Sequence, residues 1–286
     1  ALRSLFLDRG AVAAFATASV PPSGKEDPAT PLIEQLWTLD EKCDNLVLAA
    51  ITMARDLTAA QHFMGALWNL VLTPTPCDDL EKARVLEVRA ALAEKSVFCA
   101  IAASLTVHAA DLTVVRFAGF LAANVNSRSN FGDHMAAHGA TSALCHALRA
   151  TIAAPASDAR TDALMATLHA LWNATFKSPA SAVIALDHGL VEMATAVLAE
   201  MDGFHATSTR AGVVRVALGA LTNLPGQSLL DLPAIAVCPV AGSLACLSRV
   251  QTVLGVMASM AASDACVSGV ATVATSALWS VCSLPE

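Results

Sequence analysis

Apolar and small residues run along this chain in blocks of helical length, and several of the blocks close on nearly the same phrase. The phrase is Ala66-Leu67-Trp68-Asn69-Leu70. It returns as Ala170-Leu171-Trp172-Asn173-Ala174, as Ala220-Leu221-Thr222-Asn223-Leu224 and as Ala277-Leu278-Trp279-Ser280-Val281, with a looser copy at Leu121-Ala122-Ala123-Asn124-Val125. Asn124 and Asn173 stand 49 residues apart, and Asn173 and Asn223 stand 50 apart. A second mark is a glycine before a small or apolar residue, at Gly10, Gly139, Gly189 and Gly242. From Gly139 to Asn173 and from Gly189 to Asn223 the distance is 34 residues in both cases. Glycine suits a sharp corner between helices because it adopts the left-handed conformation without steric cost. No stretch keeps the two-residue alternation of a half-buried strand. A phrase that recurs at this period implies a stacked array of helices.

The breaks divide the array. Residues 1–40 read as a first unit: a short helix to Arg9, a second from Ala11, a polar loop from Pro21 to Pro28, and a third helix from about Pro31 to Asp40 with Trp37 at the phrase position. Residues 41–73 hold two helices, with Thr58 expected to cap the second; Pro74 and Pro76 end them because proline cannot continue a helix. Two helices follow from Asp79 to Ala110, and Asp111 caps a third that ends near Asn126. The next unit runs from Phe131 to Lys177, broken between Pro155 and Asp158. Another runs from Pro179 to Asn223, its last helix starting near Ser208 or Thr209. A final unit extends from Leu229, with Ser263 capping its last helix. The expectation is one all-α domain over residues 1–286. Its start at Ala1 and its end on a repeat phrase read as part of a longer array.

Composition sharpens the picture. Apolar residues make up 55% of the 286 residues, charged ones 14%, and the mean hydropathy is +0.57. The longest uninterrupted apolar runs, such as Leu46 to Ala54 and Phe117 to Ala123, fall well short of the ~18 residues a membrane span requires. Small alanines at close helix contacts explain the apolarity instead. A net charge of −7 with 17 unclustered basic residues argues against nucleic acid and anionic membrane as partners. The eight cysteines sit mostly in apolar helical runs and form no Cys-x-x-Cys pair. They read as small core side chains of a reducing compartment, hence a cytoplasmic location with the nucleus left open.

Three helices per unit, a glycine at the first corner and Leu-Trp-Asn closing the last helix resemble armadillo repeats, and are similar to those of the catenins and the adenomatous polyposis coli protein. The resemblance covers essentially the whole chain, most clearly residues 131–224. It implies a right-handed α-solenoid of five to six units acting as a scaffold or adaptor. In such proteins the third helices line a groove in which the phrase Asn hydrogen-bonds the backbone of an extended peptide. By motif position this ladder is Asn69, Asn124, Asn173 and Asn223, with Ser280 departing from it. An amide side chain both donates and accepts, so it matches any peptide backbone; the alternative is that each Asn satisfies a local helix end.

Positions eight and four before each Asn share its helix face. Eight before stand Gln61, Arg116, Met165 and Arg215; four before stand Gly65, Phe120, His169 and Gly219. Arg116, Phe120, His169 and Arg215 are expected to set specificity, favouring an acidic peptide. Trp68 and Trp172 precede their Asn by one residue, about 100° around the helix, and are expected at the groove wall or between units. The importin alpha pattern places Trp four before the Asn, which this chain does not.

Catalytic signatures are missing. There is no phosphate-cradling glycine loop and no Ser or Cys nucleophile motif. His134 and His138 share a helix face at a zinc-ligand spacing, but the segment His-Met-Ala-Ala-His lacks the glutamate of a metalloprotease motif and an evident third ligand. The reading is a non-enzyme without cofactor, binding an extended protein segment. A self-associating array acting through flanking domains is the alternative, and a His134/His138 metalloenzyme a more distant one.

Overall fold

The computed structural model describes residues 44, 46–73, 78–94, 96–127, 130–201 and 208–224. The helices expected in 1–40 and after Leu229, with Trp37, Ser263, Trp279 and Ser280, lie outside the described residues. Within them the chain is all-α, with no strand. After a helical segment at 46–52 come α1 (Leu57–Leu70), α2 (Asp79–Glu94), α3 (Val97–His108), α4 (Leu112–Asn126) and α5 (Gly132–Ala137). Then follow α6 (Ala140–Ala153), α7 (Asp158–Thr175), α8 (Pro179–Asp187), α9 (Leu190–Met201) and α10 (Ser208–Thr222).

Local chemistry fixes most of the boundaries. Asp111 is the N-cap of α4, Ser157 of α7 and Ser178 of α8; each side chain accepts the backbone N–H of the third residue of its helix, and Pro179 occupies the first turn of α8. Such caps satisfy donors that the helix itself cannot. One expected cap is corrected. Thr58 lies inside α1, and the cap is Asp56, whose carboxylate accepts from the Ala59 amide. Either side chain can cap; Asp56 wins because the chain there is already extended at ψ 121°. Gly139 and Gly189 turn the corners into α6 and α9 at φ 74° and 76°.

Helices α1, α4, α7 and α10 form a row in which each packs on the next. Helices α3, α6 and α9 form a second such row, and α5 packs on α8. The core runs between the rows through Leu67, Phe98, Ile101, Leu121, Leu144, Leu148, Leu164 and Leu168, all fully buried. Each such leucine contributes about 1.5–3 kcal/mol by leaving water. Alanines let the backbones approach: Ala118 and Ala122 on α4 and Ala163, Ala166 and Ala170 on α7 are buried. At Gly119 of α4 even a methyl has no room, since a Cβ there would lie 2.8 Å from the Ala166 carbonyl carbon. This close packing accounts for the high mean hydropathy. No single described helix is long and apolar enough to cross a membrane.

Two arginines sit in this apolar frame. Arg89 on α2, 6% exposed, donates to the carbonyl of Val71 at the end of α1 and to Ser127 and Thr73. Arg160 on α7, 5% exposed, donates to the carbonyls of Thr151 and Ile152 at the end of α6 and grips both carboxylate oxygens of Glu200 on α9. Each guanidinium meets carbonyls at a helix C-terminus and the partial negative charge gathered there. The hydrogen-bonded Glu200 holds the Arg160 guanidinium above even its usual range.

Candidate functional site

The row α1–α4–α7–α10 carries every residue expected to line a groove. At its outer positions, eight residues before the phrase Asn, each side chain reaches the start of the next helix. Gln61 Nε2 donates to the Asp111 carboxylate at 3.2 Å, and Arg116 pairs with Asp162 at 3.5 Å. Met165 Sδ would stand 3.2 Å from a Cβ at Gly212. Arg116 also lies over the Phe117 ring, 4.7 Å from its centroid. Arg215, on the last helix, is exposed.

The aromatic residues tie the middle of the row. Trp68 stacks on Phe120 with ring centres 5.6 Å apart and tilts against Phe117 at 5.4 Å. Trp172 lies so close over Gly219 that any Cβ there would fall inside its ring. Both tryptophans therefore pack on the residue four before the next phrase position. Gly65 offers the same open backbone to Phe117, whose ring would lie 3.4 Å from a Cβ. His169 sits beside Trp172, centroids 6.1 Å apart. Burial, and next the Arg215 charge, hold its imidazole below the ordinary histidine range.

The amides follow a rule that spacing alone did not contain. Asn173 Nδ2 donates to the Ala123 carbonyl at 2.9 Å, and Asn223 Nδ2 to the Trp172 carbonyl at 2.7 Å. Those carbonyls lie in the last turns of α4 and α7. There the following amides of Ser127 and Phe176 bond instead to the carbonyls of Asn124 and Asn173. Each Asn thus satisfies a helix end, but that of the preceding helix in the row, about fifty residues earlier. Asn124 instead donates to its own Phe120 carbonyl at 2.9 Å. Asn69 is half-buried at the matching place on α1. An amide nitrogen holds two protons, so at Asn124 and Asn173 one donor and the carbonyl oxygen exceed these bonds, while the Asn223 oxygen accepts from the Thr222 hydroxyl at 3.5 Å.

Sequence reasoning missed Asp111 and Asp162 as partners, Phe117 as the ring between Trp68 and Arg116, and the two buried arginines. The one available signal was a charge inside an apolar block, as in Arg89 before Leu92. The two imidazoles of the distant zinc alternative do not share a ligand-like centre: the rings of His134 and His138 are 6.5 Å apart, His134 lies edge-on to Phe131, and His138 Nδ1 lies 3.3 Å from Cys99 Sγ. Among the described residues no three His, Cys, Asp or Glu side chains converge as a metal set.

The class these features define is an all-α protein of helices packed in rows, with a polar and aromatic face on one of them. No protein-family model matches the sequence, and no curated protein does. Among solved structures the chain is similar to an engineered protein at 19% identity, over 90% of this chain and 93% of that one, with a TM-score of 0.46.

Proposed function

We propose that this chain is a right-handed α-solenoid of armadillo-like three-helix units that serves as a protein-binding scaffold, holding an extended segment of a partner along the row α1–α4–α7–α10. One observation carries the reading. At matching positions on successive helices of that row, Gln61, Arg116, Phe120, Asn124, His169 and Asn173 stay half-buried while the leucines and alanines between them are fully buried. Gln61, Arg116 and Asn173 tie neighbouring helices together, and each of the six keeps part of its surface in solvent along one rim, where a partner can reach it. The remaining amide proton and oxygen of Asn124 and Asn173 suit a peptide backbone, which presents donors and acceptors at regular intervals.

Specificity then falls to Phe120, His169 and Arg215. Arg116 already has the Asp162 carboxylate beside it, so its charge is partly met. Arg215 is exposed and adds positive charge next to His169, which favours acidic segments. No catalytic step is assigned.

The test is panning of a random-peptide phage library on the chain, followed by anisotropy titrations of the enriched peptides. Binding should weaken about tenfold or more in a Phe120→Ala/Arg215→Ala double variant and stay unchanged in Arg84→Ala, on α2. Enriched peptides that bind the double variant as well as wild type, or a library that yields none, would remove the proposal.

A further inference from the structure

Two corners of this chain are built alike, 50 residues apart. His138 closes α5 and His188 closes α8, and each is followed by a left-handed glycine. Each imidazole then reaches back to the third residue of a helix in the preceding part of the chain. His138 Nδ1 lies 3.3 Å from Cys99 Sγ on α3, and His188 Nε2 lies 2.8 Å from Ser142 Oγ on α6. The contact thus recurs between successive parts of the array, through Nδ1 in one case and Nε2 in the other.

The second corner is held more tightly and by more charge. Arg149 Nη2 donates to the His188 carbonyl at 2.6 Å, and the His146 ring meets the His188 ring edge-on with centres 4.8 Å apart. Ser142, His146 and Arg149 lie four and three residues apart, on one face of α6. That face therefore grips His188 at its ring nitrogen, its ring edge and its backbone oxygen. The charges around the imidazole come from three helices. Arg149 and His146 on α6 oppose a proton, Asp187 at the end of α8 favours one, and Glu192 on α9 brings its carboxylate to within 3.4 Å of where a Gly189 Cβ would stand. Burial is the largest influence, and the balance holds His188 below the ordinary histidine range.

We propose that the His188-Gly189 corner is a proton-operated joint: neutral His188 pins the α8–α9 corner to α6, and its protonation releases that corner. The neutral ring can accept the Ser142 hydroxyl proton at Nε2. A proton on Nε2 turns that bond round, the ring now donating to Ser142 Oγ. It also sets an imidazolium beside the Arg149 guanidinium that grips the same residue's carbonyl, and this like-charge contact loosens the corner. The turn from Asp187 to Gly189 is the part that yields, because α6 and the flanking Ala185 and Leu190 are held by fully buried contacts. Release would change how the parts of the row before and after this corner sit together. The device is independent of what the row binds. The His138 corner, with a thiol in place of the hydroxyl and no arginine on its carbonyl among the described residues, serves as the internal comparison.

The experiment is amide hydrogen exchange of the full chain at about pH 7.5 and about pH 5.5, corrected for intrinsic rates. Peptides covering residues 184–194 should lose protection on acidification, by up to about tenfold, the limit set by one imidazole with an unfolded pKa of about 6.5, and those covering 134–144 less. His188→Gln, which keeps a hydrogen-bonding side chain but cannot titrate, should abolish the acid-dependent part, and Arg149→Gln should reduce it. Unchanged protection at the lower pH, or full acid sensitivity retained in His188→Gln, would overturn the proposal. Should that variant not fold, the wild-type His188 ring signal followed by NMR decides: proton uptake with no loss of corner protection refutes it.

Discussion

The side-chain amide of Asn173 donates to the backbone carbonyl of Ala123 at 2.9 Å, joining the last turn of α7 to the last turn of α4. Asn223 repeats the bond to Trp172. At these two positions the amide is thus a structural strut. Asn173→Ala and Asn223→Ala should each lower stability by about 1 kcal/mol, the typical worth of a hydrogen bond whose partner is left behind. Urea unfolding midpoints measure this, and unchanged midpoints would show that water replaces the amide at no cost. Asn173→Asp is expected to be worse than alanine, since it sets a carboxylate against the carbonyl.

Arg160 joins α6, α7 and α9 through Thr151, Ile152 and Glu200. Removing it strands the Ile152 carbonyl and takes one donor from the Thr151 carbonyl, which keeps the Ala154 amide, while Glu200, whose side chain is 41% exposed, recovers water. Arg160→Ala should therefore cost about 2–3 kcal/mol, at the level of bonds to a charged group. Lysine should not restore it, because a single ammonium cannot reproduce the planar fork. Denaturant curves of the two variants, expected to be similar, provide the check.

Gly119 faces the α7 backbone rather than a movable side chain. Gly119→Ala improves local helix propensity but forces α4 and α7 apart, so a net loss of about 1–3 kcal/mol is expected from overpacking. A stabilised variant, seen as a raised melting temperature, would contradict the close approach.

His169 gives a pH signature with a definite sign. Its imidazole is held below its unfolded value, first by burial and then by Arg215. The unfolded chain therefore takes up the proton more readily, and the stability His169 contributes is complete above its unfolded pKa of about 6.5. That contribution is lost as pH falls from there through the depressed folded value. His169→Gln should flatten this part of the stability–pH profile, and Arg215→Ala should raise the His169 titration point in an NMR titration.

Cys145 on α6 is buried, and desolvation pushes its thiol up to about 12, with Arg149 pulling slightly the other way. Cys99 is partly exposed. Since the thiolate is the reactive form, iodoacetamide should label Cys99 in the folded chain and Cys145 only on unfolding. Peptide mass spectrometry reads both sites; early labelling of Cys145 would mean that α6 opens locally.

Much of the local architecture was legible without coordinates. The blocks marked the helices between residues 57 and 222, Gly139 and Gly189 marked corners, and Asp111 marked a cap. The Thr58 cap failed because Asp56, two residues earlier, competes with equal chemistry. Of the expected face, spacing put Gln61, Arg116, Phe120, His169, Arg215 and the Asn residues on one side of their helices. It could not say that Gln61 and Arg116 would meet Asp111 and Asp162, or that Asn173 would reach Ala123.

The division has one physical cause. Helix periodicity, capping and glycine corners depend on neighbours within a few residues, so the order of amino acids settles them alone. The partners of Arg89, Arg160, Asn173 and His188 depend on which helix ends come within 3 Å of one another. That is fixed only when alanines and glycines let α4, α7 and their neighbours close to contact, bringing together groups up to fifty residues apart.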